Sequence, residues 1–156
     1  METHIIEIFG NPCLWAAFWS WTIAQCTKMF CGLLKTRKLD FNYLVSTGGM
    51  PSAHSALASG MAISVGLVEG FDKPVTIVAF IVAMITMFDA STVRRAAGQQ
   101  ARILNDMIEE LFKEHRLSEI KLKELLGHTR LEVLMGCIIG ILTAILVVSK
   151  SFLGQG

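Results

Sequence analysis

The stretch LEVLMGCIIGILTAILVV, residues 131–148, decides the fold class of this chain. Glu132, near its start, is its only charged residue. A helix that crosses a bilayer needs about 20 mostly apolar residues, because each residue advances the helix only about 1.5 Å. The stretch therefore predicts a membrane-spanning helix.

Three further apolar blocks precede it. Residues 12–34 form a long block that is interrupted by Gln25 and Lys28, and residues 53–68 and 75–88 contain no charge. The two middle blocks are short, so they span only if their flanks continue as helix; a re-entrant or protein-buried arrangement is the alternative. A signal peptide is disfavoured for the first block because residues 1–11 contain no Lys or Arg. The predicted spans are residues 12–34, 52–69, 74–92 and 130–148.

The composition of the chain excludes several other classes of protein. Of its 156 residues 53% are hydrophobic and only 17% are charged, against about 25% charged in ordinary soluble domains. Disordered chains are poor in apolar residues, and the formal net charge of +1 argues against binding to nucleic acid. The four cysteines lie in apolar runs and are interpreted as small buried hydrophobic residues rather than as a disulfide or metal framework.

One strongly polar stretch, residues 94–127, lies between the third and fourth blocks. Apolar residues recur in it at helical spacing, which predicts an amphipathic helix, and a second short helix is expected from Ser118 to Leu126. This segment is either a solvated connector or a helix on the bilayer surface. The predicted fold is therefore an all-α integral-membrane helical bundle, one domain over residues 1–156, with about four spanning helices plus an amphipathic surface helix.

The basic residues are distributed unevenly along the chain. Residues 94–130 hold eight of the fourteen Lys and Arg residues, and the loop after the first block holds three more. Because cytoplasmic loops of membrane proteins carry an excess of Lys and Arg, both loops are expected to face the cytoplasm.

Four polar clusters interrupt the hydrophobic pattern: residues 47–55, residues 89–95, residues 127–132, and the pair Gln25 and Lys28. They fall at the start of span two, the end of span three, the start of span four and the second half of span one. A chain that crosses the membrane back and forth brings all four positions to one face. The topology therefore predicts one composite site.

The first cluster suits an anion. Gly48 and Gly49 allow the backbone to approach a ligand closely, and Pro51 can start a helix with Ser52 and His54 in its first turn. The free N–H groups of a helix N-terminus bind anions, and a serine hydroxyl adds a donor.

The other clusters supply charge and nucleophilic chemistry. Arg94, Arg95 and Lys28 carry the positive charge that a phosphoryl group attracts. His128 and Glu132 are four residues apart on one helix face, so the carboxylate can orient the imidazole and leave its other nitrogen for attack on phosphorus. His54 is then a candidate general acid. Asp89 either supports this site or only pairs with a neighbouring arginine.

These residues resemble a known superfamily. Pro51-Ser52-Ala53-His54 is similar to the Pro-Ser-Gly-His motif of the type 2 phosphatidic acid phosphatase and vanadium haloperoxidase superfamily, and His128-x-x-x-Glu132 is similar to its His-x-x-x-Asp motif. The wider pattern, GGMPSAHSA, DAxxVRRAAGxQA, LN and LGHT, resembles the small divergent bacterial and plant branch, from residue 24 to residue 140.

The resemblance implies roles for the candidate residues. His128 corresponds to the phosphorylated nucleophile and His54 to the proton donor, with Glu132 replacing the aspartate that orients the nucleophile. Ser52 with Arg94 or Arg95 corresponds to the phosphate-binding residues, and Gly49 joins them as a candidate because its backbone can approach a ligand closely. Lys28 corresponds to the first-motif lysine, with Lys35 as a competitor. The resemblance implies no metal and no cofactor.

The sequence thus predicts a multi-pass protein, in a bacterial cytoplasmic membrane by resemblance, with its site near the cytoplasmic face. The expected activity is hydrolysis of a lipid phosphate or pyrophosphate through a phosphohistidine. An inactive membrane protein that binds a lipid phosphate or another anion is the alternative, and a small transporter subunit ranks last. Four spans are fewer than the superfamily's usual membrane enzymes carry, so a homodimer that completes the bundle is a further hypothesis.

Overall fold

The computed structural model describes residues 7–37, 49–111 and 127–154. Within these ranges the chain is helical and contains no strand, which confirms the all-α fold class. The long helices are α1 (Pro12–Thr36), α2 (Ala53–Glu69), α3 (Pro74–Ser91), α4 (Val93–Leu111) and α5 (Arg130–Leu153).

Local sequence signals determine where these helices begin. The side chain of Asn11 caps α1 by accepting a hydrogen bond from the backbone N–H of Cys13 at 2.8 Å, and Pro12 occupies the first turn. Pro74 begins α3 in the same way. Gly70 lies between α2 and α3 with φ +108°, a backbone conformation that side chains other than glycine rarely adopt.

Helix α2 is the centre of the bundle, since it packs against α1, α3 and α5. Small residues allow these helices to approach closely. A Cβ atom added at Gly140 of α5 would overlap the backbone oxygen of Ala56 in α2, and one added at Gly60 would overlap the side chain of Ser20 in α1. The hydroxyl of Ser59 also donates to the backbone oxygen of Cys137 at 3.2 Å. Small residues and hydroxyl hydrogen bonds are the contacts that hold helices together in membranes.

The outer surface of the bundle is apolar. Large hydrophobic side chains are exposed along α3 and α5, including Ile81, Ile85, Phe88, Leu142 and Leu146. An exposed apolar surface of this extent is typical of a chain that is covered by lipid. Within the described residues two helical stretches are long and apolar enough to cross a membrane: Pro74–Ile108, which comprises α3 and most of α4, and Arg130–Leu153, which is α5.

Helices α1 and α2 coincide with the first two predicted spans, but they do not meet the same combined test of length and hydropathy. Helix α2 has only 17 residues, and α1 carries Gln25 and Lys28 in its second half. The crossing of the membrane by all four helices stays a prediction.

The predicted amphipathic segment is a helix from Val93 to Leu111, α4. Its large apolar side chains, among them Ile103, Leu104 and Met107, are exposed, and among the described helices it contacts only α3. The short helix predicted over residues 118–126 lies outside the described residues. The placement of α4 on the bilayer surface stays a prediction.

Candidate functional site

The described structure brings all four predicted polar clusters to one end of the bundle. The backbone N–H of Ser52, before α2, donates to the backbone oxygen of Glu132 in α5 at 3.0 Å. The backbone N–H of His128 donates to the backbone oxygen of Ala90, near the end of α3, at 3.1 Å. Gly49 lies against the side chain of Lys28 in α1, since a Cβ added there would be 3.6 Å from the Lys28 Cγ.

His128 lies at the centre of this end. Its side chain is only 1% exposed, and its Nδ1 lies 3.1 Å from the Glu132 Oε2. A carboxylate at this distance can accept a hydrogen bond from Nδ1–H, and in the neutral tautomer that carries this proton the lone pair lies on Nε2. The pair therefore has the arrangement of an oriented histidine whose second nitrogen can act as a nucleophile or a base.

Glu132 does more than orient the ring. Its Oε2 also accepts a hydrogen bond from the backbone N–H of Thr129 at 2.9 Å, and its own N–H donates to the Thr129 Oγ1 at 3.3 Å. These two hydrogen bonds form a capping box at the start of α5. Thr129 was not among the predicted site residues, although the spacing Thr129-x-x-Glu132 is a recognisable signature of this motif.

Ser52 is fully buried and is the N-cap of α2. Its Oγ accepts from the backbone N–H of Ser55 at 3.4 Å and from the Ser55 hydroxyl at 2.9 Å. Because the side chain of Ser52 caps the helix, α2 begins at Ala53, and Pro51 lies before it. Ser55 was not among the predicted site residues.

Lys28 and Gln25 are both buried, although both are polar; the exposed fraction of Lys28 is 3%. They are three residues apart in α1 and so share a helix face. Burial of a lysine in a membrane protein is costly, which makes a functional role the default interpretation. The side chain of Lys35, the competing first-motif lysine, lies outside the described residues.

The other predicted site residues occupy the same end with less burial. His54 is exposed as the second residue of α2, Arg95 is exposed in the first turn of α4, and Asp89 is half-buried in the last turn of α3. The side chain of Arg94 lies outside the described part of the chain. The roles of these residues stay predictions.

Metal ligation is a separate question. Within residues 7–37, 49–111 and 127–154, no three His, Cys, Asp or Glu side chains lie together as a metal site requires. The polar groups of the site are instead those that bind and transfer an anionic group: a helix N-terminus, a serine, a lysine and a histidine with its carboxylate.

A helical bundle with an apolar outer surface and a buried His–Glu pair at one end defines the chain as a membrane protein with an embedded polar site. The family model described as the Divergent PAP2 family matches residues 9–143. The chain belongs to this family, which confirms the predicted resemblance to the divergent branch of the type 2 phosphatidic acid phosphatases.

A curated relative supports the same assignment. The chain is 37% identical over 148 residues to the "Uncharacterized membrane protein YuiD" of Bacillus subtilis (strain 168), a match that covers 88% of this chain and 94% of the relative. No solved structure matches the chain significantly.

Proposed function

We propose that the protein is a membrane phosphatase that hydrolyses a lipid phosphate or pyrophosphate through a phosphohistidine on His128. The observation that carries this proposal is the buried imidazole, with Nδ1 held 3.1 Å from the Glu132 carboxylate. The neighbouring N-terminus of α2 offers an anion site beside it, because Ser52 is joined to the Glu132 backbone.

The first chemical step is the attack of the His128 Nε2 lone pair on phosphorus. A P–N bond forms, and the bond between phosphorus and the leaving oxygen breaks. The Glu132 carboxylate stabilises the positive charge that develops on the ring, because it already accepts the Nδ1–H. The leaving oxygen takes a proton, for which His54 is the proposed donor.

The second step regenerates the histidine. A water molecule attacks phosphorus, the P–N bond breaks, and inorganic phosphate leaves with the water oxygen. His54, having lost its proton in the first step, accepts one from this water. The same residue thus serves as acid and then as base, and protons balance over the cycle.

The phosphoryl oxygens need donors and positive charge throughout. The proposed set is the backbone N–H groups at the start of α2, the hydroxyl of Ser52, the ammonium of Lys28, and Arg94 or Arg95. Gly49, with φ +95°, allows the backbone to pass close to Lys28 without a side chain in between.

The position of the site suggests the substrate class. A phosphate group at the end of an apolar bundle, beside the exposed hydrophobic surfaces of α3 and α5, is best supplied by a lipid whose tail stays in the bilayer. The distribution of Lys and Arg supports a site near the cytoplasmic face, and the bacterial relative supports a bacterial membrane.

A second candidate function is supported by the exposure of His54, the proposed acid. A chain that keeps the phosphate-binding groups but lacks an effective acid would bind a lipid phosphate without turnover. This second function requires that the binding of the lipid phosphate depend on Arg94 or Arg95.

The two functions are separated by measuring release and binding on the same preparation. The purified protein in nanodiscs containing phosphatidate or a prenyl diphosphate is expected to release inorganic phosphate in the presence of excess EDTA. The Arg95→Gln variant should bind phosphatidate more weakly, whereas Arg102→Gln, two turns further along α4, serves as the matched control. Binding without release from either lipid would favour the inactive anion-binding protein and contradict the phosphatase.

A further inference from the structure

One carboxylate oxygen at the site has two partners. The Glu132 Oε2 accepts the backbone N–H of Thr129 at 2.9 Å and lies 3.1 Å from the His128 Nδ1. The first contact belongs to the cap of α5, and the second orients the imidazole. The start of the helix and the orientation of the ring therefore depend on the same atom.

Further hydrogen bonds hold the backbone of Glu132 and of His128 in place. The N–H of Glu132 donates to the Thr129 hydroxyl, and the backbone oxygen of Glu132 accepts from Ser52 at the start of α2. The His128 N–H is bound to the oxygen of Ala90 in α3. Both residues of the His–Glu pair are thus anchored at the backbone, so the remaining freedom lies in their two side chains.

The length of that side chain explains a departure from the superfamily motif. In a capping box the residue three positions after the cap reaches back to the backbone N–H of the cap, which glutamate and glutamine do and which a shorter side chain does less well. An aspartate at position 132 would have one methylene fewer with which to reach both Thr129 and His128. The glutamate in this chain is suited to hold both partners at once.

We propose that Thr129 is a positioning residue, which acts through Glu132 to hold the His128 ring with Nδ1 protonated and Nε2 available. The catalytic consequence rests on the phosphatase proposed above, whereas the effect on the ring does not. Removal of the Thr129 hydroxyl frees the Glu132 backbone N–H and loosens the turn that carries the carboxylate. Shortening Glu132 disturbs the same capping box through its other hydrogen bond, in which the carboxylate accepts from the Thr129 N–H.

The ring itself provides the readout. Isotope-labelled histidine in nanodisc-embedded protein gives separate nitrogen NMR signals for a protonated and an unprotonated ring nitrogen, and the signals of His128 are assigned by their loss in His128→Asn. The wild-type protein is expected to show one dominant tautomer with Nδ1 protonated. In Thr129→Ala and in Glu132→Asp the two signals should move toward each other as the second tautomer becomes populated.

Conservative variants show whether Thr129 positions the His128 ring or only stabilises the fold. Thr129→Ser keeps the hydroxyl and should restore the wild-type ring signals. If Thr129→Ala does not fold, Thr129→Gly makes the same test, because glycine at an N-cap retains most of the stability of the helix start. The effect of the double variant Thr129→Ala with Glu132→Asp should be smaller than the sum of the two single effects, since the two hydrogen bonds that are changed belong to one capping box.

Phosphate release supplies the second readout. Thr129→Ala should lower it by about tenfold or more, as is found when the outer hydrogen-bond partner of a metal-bound histidine is removed. Wild-type ring signals in folded Thr129→Ala or Thr129→Gly would overturn the positioning proposal whatever the activity. A wild-type protein that releases no phosphate but whose ring signals respond to Thr129→Ala would overturn the phosphatase alone.

Discussion

His128→Ala is expected to lower phosphate release from a lipid phosphate by at least about a thousandfold, because loss of a covalent nucleophile removes the whole reaction path that the other groups support. In the proposed mechanism the imidazole forms the bond to phosphorus, and none of the described neighbours of His128 offers a second imidazole in contact with Glu132. The measurement is the rate of inorganic phosphate release per mole of protein in nanodiscs, with EDTA present.

Two controls show whether phosphate release is lost because the nucleophile is missing or because the protein is destabilised. His115→Ala changes another histidine and should leave the rate unchanged. The unfolding temperature of His128→Ala shows whether the cavity left by this buried ring destabilises the bundle, and phosphatidate binding should persist because the α2 N-terminus and Lys28 remain. Undiminished release in His128→Ala would contradict a phosphohistidine at this position.

Gly136→Ala is expected to have a large effect for the addition of a single methyl group, although Gly136 lies one turn beyond Glu132 in α5. A Cβ atom at position 136 would overlap the backbone oxygen of Ser52 and lie 3.1 Å from the Ser55 Cβ. Backbone cannot rotate away as a flexible side chain can, so α5 must move from the start of α2. Overpacking of this kind costs about 1–3 kcal/mol of folding free energy.

The same displacement should damage the site. The Ser52 N–H is bound to the Glu132 backbone oxygen at 3.0 Å, so a shift of α5 separates the proposed anion site at the start of α2 from the His–Glu pair. Gly136→Ala is therefore expected to lower both the unfolding temperature and phosphate release. Gly154→Ala, in which the nearest atom to the new Cβ is 3.5 Å away, is the matched control at the end of the same helix. Equal stability and release in the two glycine variants would contradict the close packing of α2 and α5.

The sequence predicted the contact between His128 and Glu132 correctly, because the two residues are only four positions apart. The predicted shared helix face is wrong, since His128 lies before the cap residue Thr129 and α5 begins at Arg130. The convergence of the four clusters followed from alternating spans, and it needed no knowledge of side-chain packing. The family resemblance also came from the sequence alone, since the motifs that carry it are contiguous or nearly so.

Other features of the site could not be predicted from the spacing of residues along the sequence. The shared use of the Glu132 carboxylate by Thr129 and His128 depends on side-chain reach in three dimensions, and a spacing rule gives only one partner at a time. The start of α2 at Ala53 depends on whether Ser52 or Pro51 terminates the extended segment, and both are acceptable by propensity. The close contact at Gly136 required the crossing of two helices that are distant in sequence.

The most direct test of the central claim is to trap the phosphoenzyme. Protein in nanodiscs is mixed with a lipid that carries a radiolabelled phosphate and is denatured within the first turnovers. The account predicts a label on the protein that is stable to base and labile to acid, as a phosphohistidine is, that maps to the peptide containing His128, and that is absent from His128→Ala. A protein that releases phosphate with no such label, or that carries the label in His128→Ala, would contradict it.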